Sequence, residues 1–211
     1  MSGDLWFSLR LSLIVASSAT LIVAFVGTAF GYLLARYRFW GKDILDTLLA
    51  LPLVLPPTVV GYYLLGLLGK QGLHLLFTPQ AAIVAASIMA LPLMVRTSRA
   101  AIESVDPSYE QAAYTLGKSR FRTFLQVTLP LAWKGLMAGV VLSFARALGE
   151  FGATLMVAGN IPGKTQTMPL AIYEATQSGE EMLAFLLVAV LTTTAFGFLL
   201  ITNRLTQSRP W

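Results

Sequence analysis

Cysteine is missing from all 211 residues, which excludes disulfides, thiolate nucleophiles, Cys-ligated metals and haem thiolates. A single histidine, His74, leaves no multi-histidine metal site, and on a short loop from Lys70 to Pro79 it reads as a solvated interface residue. No Gly-x-Ser-x-Gly elbow is present, so a hydrolase would lack its nucleophile. Charge is scarce as well: Asp, Glu, Lys and Arg together make up 12% of the chain, where a soluble domain carries about one quarter. The net charge of +5 does not point to nucleic acid, because no basic run is interleaved with aromatics and the Lys and Arg residues punctuate apolar segments. The first residues, MSGDLWFSLR, lack the basic n-region, short apolar core and cleavage site of a removable signal peptide.

What is abundant is apolar surface. Hydrophobic residues make up 56% of the chain, which places it in a membrane as a single all-α transmembrane domain. Five spans are predicted, over 11–35, 44–68, 80–98, 131–157 and 182–202; a stretch of about 20 apolar residues crosses a hydrocarbon core of roughly 30 Å. Gly27 and Gly31 form a small-xxx-small pair suited to close helix approach. In the second span, Pro52, Pro56 and Pro57 fall within six positions, which no undisturbed helix accepts. Broken backbone survives at membrane depth only where protein or water satisfies it, so this segment is expected to face the interior or a pathway.

The longest polar interruption runs over 106–130, DPSYEQAAYTLGKSRFRTFLQVTLP. Asp106 can cap a helix that Pro107 begins, and Gly117 ends it where a left-handed residue is wanted. Tyr109, Ala112, Ala113 and Leu116 fall at helical spacing and are expected to share one narrow apolar face. Ser119 can cap a second helix running through Val127, which Pro130 closes. The first helix, at about 15 Å, is too short to span a bilayer and suits a surface helix docking into a partner's groove.

Gln111-Ala112-Ala113, then Gly117, then Val127-x-Leu129-Pro130 resembles the "EAA" motif of ABC-importer permeases: an acidic residue and two alanines, a glycine four residues on, and I/V-x-L-P. The family's usual glutamate position holds Gln111 here, with Glu110 one place earlier. In that family the motif is the cytoplasmic coupling helix, seated in a cleft of the ATPase subunit. The resemblance implies this role for Tyr109, Glu110, Gln111, Ala112, Ala113, Leu116 and Gly117. Two further stretches extend the likeness over nearly the whole chain. Leu51–Thr58, LPLVLPPT, is similar to the second-helix signature of molybdate and sulfate permeases. Ala145–Thr154 and the run from Gly159 to Tyr173 resemble the ARALGEFGA…GNIPGKTQT-PLAIY stretch of molybdate permeases. Sulfate permeases differ around the EFGA core and after GNIPG. Members with an additional N-terminal helix exist, and this chain is expected to start without it.

The resemblance implies a five-transmembrane-helix type I ABC-importer permease in the plasma (inner) membrane of a prokaryote. It would take up molybdate, or alternatively tungstate or sulfate/thiosulfate, driven by a separate ATPase. Its implied partners are a second copy of itself, two ATPase subunits, an extracytoplasmic molybdate-binding protein and membrane lipid. The chain itself is expected to carry no catalytic residue, metal or cofactor, ATP being bound by the ATPase. A secondary transporter is the competing class, but its usual inverted repeats are not evident.

Orientation follows from basic residues. With the coupling stretch cytoplasmic, that side carries eleven, from Arg36, Arg38 and Lys42 through Arg96, Arg99 and the four between Lys118 and Lys134 to Arg204 and Arg209. The other side carries three, Arg10, Lys70 and Lys164. Five spans then put the N-terminus outside and the C-terminus in the cytoplasm. Arg146 remains within a span, four residues before Glu150, where the two can pair on one helix face. That pair, with Pro56, Pro57 and Thr58, is the candidate pathway or intramembrane site. Gly159–Thr165, GNIPGKT, superficially suggests a phosphate-binding loop, but three residues stand between its glycines where the Walker pattern needs four, and no strand precedes it.

Overall fold

The computed structural model describes residues 2–69 and 72–207, so Lys70 and Arg209 of the charge count lie outside the described residues. Within them the chain is helical, with no strand. In order come α1 (Ser2–Arg36), α2 (Lys42–Val54), α3 (Pro57–Leu68), α4 (Pro79–Glu103), α5 (Pro107–Thr115), α6 (Arg120–Thr123), a π-turn (Phe124–Thr128), α7 (Leu129–Leu148), α8 (Gly152–Ala158), α9 (Met168–Gln177) and α10 (Glu181–Gln207).

Helix α4 is the axis of the bundle. One side of it is a run of small residues, and Ala81, Ala82, Ala85, Ala86 and Ala90 are all fully buried. Helices α1 and α7 flank it and meet it through glycines. A Cβ at Gly27 would stand 2.7 Å from Met94 Cγ, and one at Gly31 would stand 2.6 Å from Ser98 Cβ. From the other side, Gly139 meets Thr97 and Gly135 meets Ala101, with virtual Cβ distances of 2.3 and 2.5 Å. In lipid, where hydrophobic burial no longer separates helix–helix from helix–lipid contact, such close backbone approach supplies the packing energy. The small-xxx-small pair in α1 is therefore the α1–α4 contact.

Four helices are long and apolar enough to cross a membrane, over Leu5–Arg36, Pro79–Glu103, Arg120–Leu148 and Glu181–Thr202. The segment 44–68 is broken into a bent pair, α2 and α3, at 115° to each other across Leu55 and Pro56. Pro52 is absorbed inside α2; the Pro56-Pro57 pair is what cannot be absorbed, since two adjacent residues lack an N–H and Pro57 then starts a new helix at its first position. The span over 131–157 is likewise interrupted, because α7 ends at Leu148 and α8 begins at Gly152. Helix α4 extends two turns past Arg96, to Glu103. There Arg99 bonds Asp46 of α2 and Glu103 of its own helix, each at 2.8 Å, and so ties the bent pair to the axis.

Pro130 does not close a helix. From Arg120 the chain runs as one helical rod through Pro130 to Leu148, and the strain is taken up by the π-turn just before it, where the Leu129 N–H bonds the Phe124 carbonyl. A proline cannot complete the α-helical bond to the fourth residue back and its ring crowds that carbonyl; widening the turn by one residue relieves both. Helix α9 lies between the predicted spans 131–157 and 182–202. Its signals are Thr167 ahead of Met168-Pro169 and the buried row Met168, Ala171 and Ala175, and its first N–H bonds Ser12 Oγ of α1 at 2.7 Å.

Candidate functional site

Helix α5 is built as its sequence predicts. Asp106 Oδ1 accepts from the Ser108 N–H at 2.8 Å, which also holds the Asp106 carboxyl below its usual range. At the other end Gly117 adopts φ +77°, the Gly117 N–H bonds the Tyr114 carbonyl at 2.9 Å, and the Lys118 N–H bonds the Ala113 carbonyl at 3.1 Å. This double closure is the Schellman pattern. A Cβ at Gly117 would meet nothing within 4 Å, so only backbone conformation demands glycine there. If α5 has the coupling role that the resemblance implies, Gly117→Val should insert normally yet couple poorly, with the left-handed strain costing about 1–3 kcal/mol locally. Gly117→Asn, which tolerates that conformation, should retain most ATP-driven uptake in vesicles. Normal uptake by the Val variant would remove the stop from the coupling function.

The faces of α5 divide differently from the expectation. Glu110 and Ala113, three residues apart, are buried against the bundle, whereas Tyr109, Gln111, Ala112 and Leu116 are exposed. Ala113 thus leaves the outward stripe, because the helix places it about 100° round from Ala112 and on the side of Glu110. The inward side is an electrostatic strut. Glu110 Oε1 accepts from Arg36 Nε at 3.0 Å and from Thr128 Oγ1 at 2.6 Å, and Arg36 Nη2 reaches the Val105 carbonyl at 3.0 Å. One carboxylate therefore joins the end of α1, α5 and the π-turn below α7. Neither Arg36 nor Thr128 was singled out by sequence reasoning; an arginine at a span exit and a threonine beside a proline carry no local signal of a shared acid.

The second set of residues meets at the two helix breaks. Arg146 Nη1 lies 2.6 Å from Glu150 Oε2, and Glu150 Oε1 accepts from the Ala153 N–H at 2.8 Å. Glu150 therefore stands beyond the end of α7 and not on its straight continuation, and it caps α8 as well as pairing with Arg146. Its side chain is 2% exposed against 27% for Arg146. At Gly152 a Cβ would approach Pro57 Cβ to 2.9 Å and the Thr58 nitrogen to 3.5 Å. Gly61 of α3 packs equally closely on Met156 of α8. The start of α3 and the start of α8 are thus pressed together, with Pro57 and Thr58 on one side and Glu150 and Arg146 behind the other.

The loop after α8 is a closed turn. The amides of Lys164, Thr165 and Gln166 all converge on the Ile161 carbonyl at 2.9–3.1 Å, and Glu174 Oε2 accepts from Asn160 Nδ2 and Gln166 Nε2. With its amides turned onto its own backbone, it presents no nest to a phosphate. No cluster of His, Asp and Glu suited to a metal occurs among the described residues.

In fold, the chain matches one from the inward-facing MetNI methionine ABC transporter, with a TM-score of 0.75 at 14% identity over 99% of this chain and 95% of that one. A chain of an amino acid ABC transporter matches at 0.70 and 16%, again over 99% and 95%. This chain has the fold of both. In sequence it is 47% identical over 184 residues to the molybdenum transport system permease protein ModB of Escherichia coli K12, covering 82% of this chain and 80% of the relative. It is 43% identical over 197 residues to the putative molybdenum transport system permease YvgM of Bacillus subtilis, covering 88% and 87%. A sulfate transport system permease, CysT of Salmonella typhimurium, is more distant, 37% identical over 214 residues, 93% of this chain and 77% of the relative. The model of the binding-protein-dependent transport system inner membrane component family matches residues 27–207, and the chain belongs to that family.

Proposed function

We propose that this chain is the membrane-spanning subunit of a molybdate importer. It would work as two identical copies with two ATPase subunits and an extracytoplasmic molybdate-binding protein. The substrate rests on one observation, the higher identity to molybdenum permeases, 47% and 43%, than to a sulfate permease, 37%. Pairing is supported by α2, which buries no residue within its own chain, and by α10, one side of which, with Met182, Phe185, Phe196 and Ile201, is exposed. The α5 side is cytoplasmic in this reading, because the great majority of Lys and Arg lie there. The N-terminus is then outside and the C-terminus inside.

The chain performs no chemistry of its own, and ATP is bound and hydrolysed on the ATPase. Closure of the ATPase pair moves the outward face of α5, the face of Tyr109, Gln111, Ala112 and Leu116. The Glu110 strut passes that movement to α1 and to the rod Arg120–Leu148. The rod is about 43 Å long, and its far end is the break at Gly149, where α8 abuts the bend between α2 and α3. Movement of one rigid element is thus delivered to the two places where the backbone is already interrupted, as in hinge and shear transitions.

Uptake by proteoliposomes holding this chain, its ATPase and its binding protein tests the reading. Molybdate should accumulate only with ATP, tungstate should compete because the two anions are nearly the same size and charge, and a large excess of sulfate should not. Sulfate uptake equal to that of molybdate would overturn the assignment.

A further inference from the structure

Beside α5 lies a groove of about 310 Å³ between the end of α1, α5 and the start of α6, sharing only Gln111 with the outward face of that helix. Its charges do not balance. Arg36, Arg38 and Arg120 line it with Glu110 as the one carboxylate, and Glu110 is already neutralised by Arg36. Arg38 and Arg120 have no carboxylate partner among the described residues; Arg120 instead lies 5.7 Å over the ring of Tyr37. Tyr37 packs edge-on against Tyr32, and both line the groove together with Tyr114. Two guanidinium groups without a carboxylate, Arg120 held by Tyr37 and Arg38 exposed, suit a phosphate oxyanion.

The depth of the groove identifies where that oxyanion comes from. Arg38 is followed at once by Phe39 and Trp40, which are 39% and 98% exposed. Large rings left bare beside arginines at the end of a spanning helix mark the headgroup layer of a bilayer. A basic pocket at that level on a membrane protein faces lipid phosphates.

We propose that this groove binds the phosphate headgroup of an anionic phospholipid from the leaflet on the α5 side. The lipid would add a third tie, alongside the Glu110 strut, between the end of α1 and the coupling segment. The proposal rests on membrane insertion and not on the transported substrate. Its test needs no uptake. The full chain is placed in nanodiscs of phosphatidylcholine, with or without phosphatidylglycerol, and retained lipid is counted by native mass spectrometry while thermal unfolding is followed. Wild type should retain phosphatidylglycerol and unfold at higher temperature in its presence. Arg38→Gln and Arg120→Gln should each weaken retention about fivefold, as expected for one surface arginine beside an anionic lipid, and together abolish the thermal shift. Arg122→Gln, an exposed arginine outside the groove, should leave both unchanged. Equal loss with Arg122→Gln would reduce the effect to general surface charge and overturn the proposal. Removal of the shift by millimolar inorganic phosphate would assign the groove to a soluble anion. Loss of ATPase association by the double variant in phosphatidylcholine alone would assign these arginines to the ATPase. Either result overturns the lipid.

Discussion

Glu110→Ala is expected to be the most damaging single change in the segment 106–130, lowering stability by about 3 kcal/mol, the range for breaking a buried pair. The Glu110 side chain is 9% exposed and that of Arg36 15%, so truncation leaves a guanidinium and the buried Thr128 hydroxyl without their acceptor. Three segments lose their common tie, so thermal unfolding in detergent should shift down and α5 should become an early site of proteolysis. Glu110→Gln keeps an oxygen for Thr128 but gives up the charge, and should recover part of the loss. Gln111→Ala, one residue away and exposed, should leave unfolding unchanged. The pair of neighbours thereby separates two roles that an acidic position in this motif could hold. If Glu110→Ala unfolds like wild type yet fails to bind the ATPase, the carboxylate belongs to the interface and the strut is not what holds α5.

That division between Glu110 and Gln111 marks where the sequence stops being readable. The ends of α5 are local events: Asp106 and Pro107 start it, Gly117 stops it, and each does so through atoms within four residues. The facing of α5 is not local. Alanines stand on both sides of the helix, so the apolar pattern over Tyr109, Ala112, Ala113 and Leu116 carries no decisive moment. What turns Ala113 inward is Arg36, 74 positions before Glu110, seeking a carboxylate. The prolines show the same limit. Pro56-Pro57 had to break a helix, but the 115° turn is set by packing, through Gly61 and Gly152, against α8. Pro130 was equally visible and had the opposite outcome, because a single π-turn absorbs it and the rod continues. Helix α9 carried readable start signals in Thr167 to Pro169, which were outweighed by the glycine- and proline-rich turn just before it. The transmembrane pattern itself was legible because span length and apolarity are properties of the segment alone.

At the helix break, exchanging Arg146 and Glu150 is expected to fail. Two charges four apart on a straight helix should tolerate being swapped, since the pair is re-formed with its ends reversed. Here Glu150 also accepts from the Ala153 N–H at the start of α8, and an arginine at 150 can only donate. It would have to enter a site where the present side chain is 2% exposed, and so would meet both an unsatisfied amide and a volume it cannot fit. Arg146→Ala strands a buried carboxylate and should cost about 3 kcal/mol. Glu150→Ala frees Arg146, which at 27% exposure can turn outward, and removes the α8 cap, worth about 1 kcal/mol, so it should cost less. The double change to Ala removes both charges together and should restore most of the assembled protein, short of the cap. Its uptake then decides the role of the pair. Assembly and transport recovered together mean that Arg146 serves to neutralise Glu150 and hold the break. Assembly recovered with molybdate uptake still absent means that the partly exposed guanidinium acts on the anion itself, and the break beside Pro57 and Thr58 is then part of the anion's path.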